Sequence, residues 1–280
     1  MGGCMSQPAV YNKVGPDSFP LPAGVEVLVR SDAEAAAAAE VLTRAFAGTA
    51  SAKPEVGPGP GRRGGWWVGA RPTGGLTNGD GKQQPAFEWC LDAELQDQYA
   101  DPRRQESMRW VFRFMTELAF ALGTNGAVLA SRAPSGALDG VCLVKVYHGT
   151  PGDGLGTQMT AGCRAGGMPP ITKSYNTNPR MVAFEASIAS LHKKHAATTP
   201  HVQVWAIGVD PGSQNAGVGS KLMEAANVIA DREGLPGLLE SCSKPFFQRF
   251  GYAMLGEEIM RTKAGDEQCS KPLVLMGRGF

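Results

Sequence analysis

The sequence lacks several features that would assign a protein to a well-defined class. No apolar run is long enough to cross a bilayer, and no basic start followed by an apolar core marks a secretory signal. The formal net charge is only +1 across 280 residues, so the chain has no overall field that would attract nucleic acid. We therefore expect no nucleic-acid partner.

The cysteines likewise give no sign of a metal site. All six are scattered, with no C-x-x-C pair and none of the spacings typical of zinc ligands. This pattern favours reduced thiols, a cytoplasmic location and no bound metal. With 42% hydrophobic and 19% charged residues, the composition is that of an ordinary globular protein with a substantial core.

A short motif at the N-terminus is of the kind that attaches proteins to membranes. Residues 1–6 read M-G-G-C-M-S, which fits the pattern for myristate on Gly2, and Cys4 is placed for a palmitoyl group. Two acyl chains hold a protein on a membrane, whereas one binds only marginally. The alternative is a chance match within a flexible N-terminal segment, residues 1–22. Membrane association is expected only if Gly2 and Cys4 are acylated.

The rest of the chain alternates between strand and helix patterns. Strands are predicted at about 24–30, 127–131, 138–147, 204–209, 237–240, from 251 onward and 271–278, and helices at about 31–46, 102–122, 180–197, 217–233 and 245–250. These elements predict an α/β fold, a mixed central sheet with helices on both faces, in one domain over 23–280. Two Gly/Pro-rich insertions, at about 48–86 and 149–179, interrupt this domain. His192 lies in a basic cluster near a helix C-terminus, where cations are favourable, and needs no functional explanation there.

The most informative segment runs from Val204 to Met223. An apolar strand ends in the turn formers D-P-G-S, and a helical pattern begins at about Gly217. The first turn of such a helix has free N–H groups and the positive end of the helix dipole, and both attract anions. The segment therefore predicts a phosphate-binding loop.

Two common phosphate-binding motifs do not fit this loop. Gly212 and Gly217 have the spacing of a P-loop, but Val218 occupies the position of the essential lysine. The dinucleotide fingerprint fails because Leu222 stands where its third glycine would fall. The motif that remains is Q-x-x-G-x-G, at 214–219.

This motif and its surroundings resemble the GCN5-related N-acetyltransferase (GNAT) superfamily. The similar segments are G-V-D-P-x-x-Q-x-x-G-x-G-S at 208–220, G-L-P-G-L-L-E at 234–240 and P-F-F-Q-R-F-G-Y at 245–252. They are most similar to the puromycin N-acetyltransferase-like branch. The resemblance is close from about Val202 to Tyr252 and topological elsewhere, and the two insertions have no counterpart. It implies a GNAT-like fold and acetyl-CoA as the cosubstrate.

The resemblance also implies which residues bind coenzyme A. Backbone N–H groups would face the pyrophosphate from Gln214, Asn215, Ala216, Gly217, Val218, Gly219 and Ser220. The pantetheine arm would pair with Ile207, Gly208 and Val209, and a main-chain N–H there would stabilise the oxyanion. In relatives, a tyrosine beside the cofactor commonly protonates the departing thiolate. In this chain that position is Phe247, which has no proton to give.

The proton transfers stay open at this point. Either coenzyme A leaves as the thiolate without help, or Ser241, Cys242 or Tyr252 replaces the missing tyrosine. The base that deprotonates the amine is Glu240, His201 or Glu185, with His148 a weaker candidate. Glu240 matches a family position at a strand end, although a purely structural hydrogen bond would also explain it. His201 is predicted to lie in an exposed loop before the central strand.

Three functions are compatible with these residues. The first is an acetyl-CoA-dependent N-acetyltransferase acting on a primary amine, of a small molecule by analogy with the branch. The second is a protein or peptide N-acetyltransferase, with Trp66-Trp67 and the second insertion shaping a peptide site. The third is a non-catalytic acyl-CoA-binding module, which Phe247 motivates. No residue specifies the acceptor, and the protein is expected to be a monomer or a dimer.

Overall fold

The computed structural model describes residues 20–47, 102–149, 154–167, 179–241, 244–262, 269 and 272–280. The strands in these ranges are β1 (Val25–Val27), β2 (Gly126–Arg132), β3 (Leu138–Tyr147), β4 (His201–Val209), β5 (Gly237–Ser241), β6 (Ala253–Glu258) and β7 (Leu273–Arg278). The helices are α1 (Asp32–Ala47), α2 (Pro102–Ala121), α3 (Leu155–Arg164), α4 (Pro179–His195), α5 (Val218–Glu233) and α6 (Lys244–Gln248).

These strands form one mixed sheet with helices on both faces. Its strand order is β1-β2-β3-β4-β5-β7-β6, and β4 and β5 are the parallel pair within an otherwise antiparallel sheet. Helix α5 covers one face, where Leu222 is buried with Leu239 of β5. The opposite face is covered by α1 and α2 over β2–β4 and by α4 over β5–β7, where Leu238 is buried. The predicted fold class is therefore confirmed.

Most predicted elements lie within a few residues of the observed ones, and two differ more clearly. Strand β4 begins at His201 rather than Val204, so His201 belongs to the sheet and not to a loop. Helix α3 occupies a segment predicted to be an insertion without a helix. Its Leu155 and Met159 are exposed and Ala161 is buried, so most of its apolar spacing faces away from the core.

Helix α2 is held to the segment between β1 and α1 by an ion-pair cluster around a buried glutamate. The Glu117 side chain is fully buried, and its two oxygens contact Arg30 Nε at 2.9 Å and Arg113 Nη2 at 3.0 Å. Two guanidinium partners compensate the loss of water around a carboxylate at this depth. The cluster joins residues 87 positions apart in the chain and fixes α2 against the segment that leads from β1 into α1.

Several predictions fall outside the described ranges. They are the acylation motif at Gly2 and Cys4, the first insertion with Trp66-Trp67, and Cys242. Among the helices that are described, none is long and apolar enough to cross a membrane. The same part of the chain contains no group of three or more His, Cys, Asp or Glu side chains that could hold a metal ion.

Candidate active site

Strand β4 carries a β-bulge at its centre. Two consecutive residues of β3 pair with Val204 and Ala206, so Trp205 between them has no partner of its own. An extra residue of this kind bends the strand and shifts the alternation of its side chains. As a result Val204 and Ile207, three positions apart, both face the α5 side, whereas Ala206 faces α1.

Strands β4 and β5 part from each other directly before this bulge. Their parallel pairing extends from Val202 to Val204 on β4 and over 237–239 on β5. On the β5 side, residues 206–209 of β4 have no strand partner within the described ranges, while their other edge stays paired with β3. Backbone N–H and C=O groups at such an edge can bind an extended ligand by adding it as a strand.

The residues predicted to pair with the pantetheine arm, Ile207, Gly208 and Val209, all lie in this unpaired part of β4. Gly208 is required there for a reason that the sequence does not reveal. A Cβ at Gly208 would lie 2.8 Å from the Cβ of Ala45 and 3.0 Å from Leu42 Cδ2, so α1 could not pack at its present distance. This glycine is therefore explained by helix packing alone.

The turn after β4 is organised by Asp210. Its Oδ1 accepts a hydrogen bond from Gly212 N at 3.0 Å, and its Oδ2 pairs with the guanidinium of Arg44 at 2.7 Å. Asp210 N also donates to the carbonyl of Asp139 at 2.8 Å. These contacts anchor the start of the predicted phosphate loop to α1 and β3.

The loop that follows has the conformation expected of an anion-binding turn. Gly217 stands just before α5 with φ +83°, a left-handed conformation that favours glycine, and no atom lies within 4 Å of where its Cβ would be. Lys221 N donates to Gly217 O at 3.1 Å, which is the first hydrogen bond of the helix. The N–H groups of residues 218–220 come before it and have no acceptor within the helix. The loop thus presents unpaired donors beside an open space.

Two further loop residues have contacts that bear on the predicted cofactor site. The Gln214 side chain turns back to β4, where its Nε2 donates to Val209 O at 3.4 Å, so one of its two side-chain N–H groups is engaged by the strand. A Cβ at Gly219 would lie 3.5 Å from Phe246 and from Val209, an ordinary van der Waals distance. Packing within the chain therefore does not require glycine at 219.

A buried carboxylate lies on the opposite face of the sheet, beside the point where β4 and β5 part. The Glu240 side chain is 9% exposed, and both of its oxygens accept from Gln203 Nε2 at 3.1 Å. Its Oε1 also contacts Nε2 of His192, from α4. The interpretation of His192 as a purely electrostatic residue at a helix end is therefore incomplete, because this ring reaches a predicted catalytic carboxylate.

The environment of His201 differs from the predicted one. It is the first residue of β4 and only 3% exposed, so the prediction of an exposed loop histidine is wrong. Its Nδ1 lies 2.8 Å from the carbonyl of Thr199, which can only accept, so Nδ1 carries the proton. Burial lowers the pKa of His201, and the ring is neutral at neutral pH with an unprotonated Nε2. Tyr147, His192 and Phe280 surround it, with ring centroids 5.0, 6.0 and 6.2 Å away.

The candidate proton donors on the other side of the sheet are buried in its core. The Tyr252 hydroxyl donates to Asn227 Oδ1 at 3.2 Å, and burial raises the pKa of Tyr252 well above its ordinary value. Phe247 and Tyr252 both belong to the core on the α5 face, and Ser241 is buried as well. The sheet therefore separates Tyr252 from Glu240. Glu185 and His148 are exposed.

Comparison with protein families identifies the class to which this region is similar. Residues 181–252 match the family described as Acetyltransferase (GNAT) family. The matched segment contains β4 with its bulge, the loop, α5, β5 and α6, which are the elements that build the candidate site. No protein of curated function matches the chain.

Solved structures to which the chain is similar include three described as acetyltransferases. A histone acetyltransferase HPA2 and related acetyltransferase from Corynebacterium glutamicum is 18% identical over 90% of this chain and 94% of its own, with a TM-score of 0.47. A GCN5-related N-acetyltransferase from Rhodopseudomonas palustris is 12% identical over 94% and 98%, with a TM-score of 0.40. A polyamine N-acetyltransferase from Drosophila melanogaster is 14% identical over 63% and 80%, with a TM-score of 0.40. Similarity at this level does not indicate a shared substrate.

Proposed function

We propose that this protein is an N-acetyltransferase that transfers the acetyl group of acetyl-CoA to a primary amine. The observation that carries the proposal is the combination of a bulged β4 that parts from β5 with a left-handed glycine loop and a helix start directly after it. The first feature leaves a strand edge for an extended ligand, and the second leaves N–H donors for a phosphate. The match of residues 181–252 to the GNAT family supports the same reading.

The residues present fit the two ends of coenzyme A. The open space beside Gly217 admits a pyrophosphate close to the main chain, and the first turn of α5 supplies donors and the positive end of the helix dipole. The unpaired edge over 206–209 is long enough for the pantetheine amides to bond to β4. Acetyl-CoA itself supplies the activated acyl group, and a main-chain N–H of β4 would stabilise negative charge on its carbonyl oxygen.

Two groups on the acceptor side are candidates to take a proton from the ammonium form of the acceptor. Glu240 is a nearly buried carboxylate at the point where β4 and β5 part, and His201 is a neutral ring with an unprotonated Nε2 two residues from Gln203 along β4. Both lie on the face of the sheet covered by α4. A base there would act on an amine that approaches the thioester from the face opposite α5. Among the described residues, Phe247 has no proton to give and Tyr252 lies in the opposite core, so neither would protonate the departing thiolate. Cys242 lies outside the described ranges and stays a candidate donor.

The acceptor is proposed to be the amine of a small molecule, by analogy with the branch that the loop resembles. A protein or peptide amine is the alternative within the same chemistry. The aromatic rings of Tyr147 and Phe280 near His201 favour an acceptor that has an apolar portion beside its amine.

A second function is favoured by a specific observation. The side chain at the usual proton-donor position, Phe247, is buried in the core, and the nearest tyrosine in sequence, Tyr252, is bonded to Asn227. A protein that bound acyl-CoA tightly and released it unchanged would have the same phosphate-binding loop and strand edge. It would need no proton donor for the thiolate. This function is a non-catalytic acyl-CoA-binding module.

One experiment separates these functions. Binding of acetyl-CoA is measured by isothermal titration calorimetry, and release of free thiol is followed over a panel of small amines and N-terminal or lysine-containing peptides. Thiol release with small amines supports the proposed function, and release with peptides alone supports the alternative acceptor. Binding without release on any amine supports the binding module. Absence of acetyl-CoA binding overturns all three.

A further inference from the structure

The hydrogen bonds of Glu240 are asymmetric in a way that assigns unequal roles to its two oxygens. Oε1 contacts both His192 Nε2 and Gln203 Nε2, whereas Oε2 contacts Gln203 Nε2 alone within the described ranges. An ionised carboxylate oxygen has two lone pairs in the plane of the group. Both acceptor positions of Oε1 are therefore occupied, and Oε2 keeps one that is free.

We infer that His192 is a positioning residue that orients Glu240 so that Oε2 faces the acceptor amine. This inference rests on the proposed function, and it adds a residue from α4 to a site otherwise built on β4 and β5. The acceptor arrives as its ammonium form: one N–H bond breaks as an O–H bond forms at Oε2, and the electron pair that this frees on the neutral amine nitrogen attacks the acyl carbon. His192 takes no proton in this step. It holds the carboxylate in the rotamer in which the step occurs.

His192 is suited to this role because the end of α4 is held firmly. The carbonyl of His192 accepts from the N–H groups of Ala196 and Ala197 at 2.8 and 2.6 Å, which closes the helix directly after its last turn. Three residues further along, His195 lies against Gly256 of β6, where any side chain on Gly256 would collide with the imidazole ring. Leu191, next to His192, is buried in the core under α4. Because the backbone around His192 is fixed in this way, its imidazole ring has few orientations available.

Helix-end electrostatics alone would not produce this arrangement. His192 lies in a run of four basic residues in the last turn of α4, and Lys193 next to it is exposed. A cation that only complements the helix dipole has no need of a partner on the sheet. The His192 ring instead turns inward to a carboxylate 48 positions along the chain, and its side chain is 24% exposed.

The first test compares three variants in the full-length protein. For His192→Ala, kcat with a good amine acceptor should fall by about tenfold to a hundredfold, because a small displacement of a catalytic group costs this much. The KM and Kd for acetyl-CoA should not change. His192→Gln, whose amide N–H can still donate to Glu240, should recover most of kcat. Lys193→Ala removes a neighbouring cation and is the matched control, with wild-type kcat expected.

A double-mutant cycle separates positioning from a general effect on folding. In the Glu240→Gln background, His192→Ala should cause no further loss of kcat, because its effect acts through the Glu240 carboxylate. Losses that multiply across the two sites would overturn the inference, as would a loss for Lys193→Ala equal to that of His192→Ala.

A readout independent of turnover keeps the inference distinct from the proposed function. The Nε2–H proton of His192 should give an NMR signal typical of a hydrogen bond to a carboxylate, and Glu240→Ala should remove or shift it. An unchanged signal overturns the inference whether or not the protein transfers acetyl groups. If the signal responds and the wild-type protein binds acetyl-CoA without releasing thiol, the contact stands and the proposed function fails.

Discussion

A negative charge introduced at position 219 gives the most direct test of whether the predicted loop binds phosphate. Gly219 lies in the first turn of α5, and its Cβ would lie 3.5 Å from its nearest neighbours in the chain, so a side chain there is not excluded by packing. Its backbone is helical and is not left-handed, unlike that of Gly217, so substitution adds no strain. Gly219→Glu therefore introduces a negative charge at the proposed pyrophosphate site with little change elsewhere.

The expected loss of affinity follows from Coulomb's law. Two negative charges about 4 Å apart repel by about 1 kcal/mol in a water-like medium and by about 4 kcal/mol near a protein surface. Since each 1.4 kcal/mol is about a tenfold change in Kd, Gly219→Glu should weaken acetyl-CoA binding by about fivefold to about a thousandfold. The uncharged Gly219→Gln variant, whose side chain has the same size, should lose much less affinity for acetyl-CoA. The Kd of Gly219→Ala should stay within about threefold of the wild-type value.

Calorimetric titration of acetyl-CoA at two salt concentrations measures this difference. The difference in Kd between Gly219→Glu and Gly219→Gln should become smaller at high salt, because the screening length falls from about 10 Å at 0.1 M to about 3 Å at 1 M. Thermal unfolding of all three variants checks that each is folded. If Gly219→Glu bound acetyl-CoA with wild-type affinity at low salt, the pyrophosphate would not lie at this helix start, and the assignment of the loop would be wrong.

Three further predictions concern groups placed by the tertiary structure. Glu117→Ala should lower the free energy of unfolding by about 1.5–3 kcal/mol in urea titrations, because the charge-assisted hydrogen bonds of Glu117 to Arg30 and Arg113 are lost; a loss below about 0.5 kcal/mol would mean that these contacts add nothing to stability. Tyr252→Phe should leave kcat unchanged and cost about 1 kcal/mol of stability, since its hydroxyl bonds only to Asn227 in the described structure; a large fall in kcat would instead make Tyr252 the proton donor. The lowered pKa of His201 means that its contribution to stability is fully present above about pH 6.5 and is lost as the pH falls through that lowered pKa. His201→Gln should therefore reduce the loss of stability on acidification, and an identical pH dependence would show that His201 is not buried as a neutral ring.

The sequence alone determined the secondary-structure elements that are specified by patterns within a short stretch of the chain. An apolar run, the turn formers D-P-G-S and a following helical pattern predicted a strand, a turn and a helix, and the structure has β4, a turn capped by Asp210 and α5 there. The motif implied that Gly217 lets the backbone approach a phosphate, and its left-handed conformation came only from the structure. The fold class followed from the order of such elements.

Only the tertiary structure decided how the chemical groups meet. The bulge at Trp205 and the parting of β4 from β5 depend on register with β3 and β5, which no pattern within one strand encodes. The burial of His201 under α4 and of Tyr252 under α5 likewise depends on which face of the sheet each side chain lies on. His192 shows the limit most clearly, because its basic neighbours explain it locally, whereas its partner Glu240 comes from a strand 48 residues away. Contacts at that separation are set by packing of the whole sheet against α4, and the sequence gives no local signal for them.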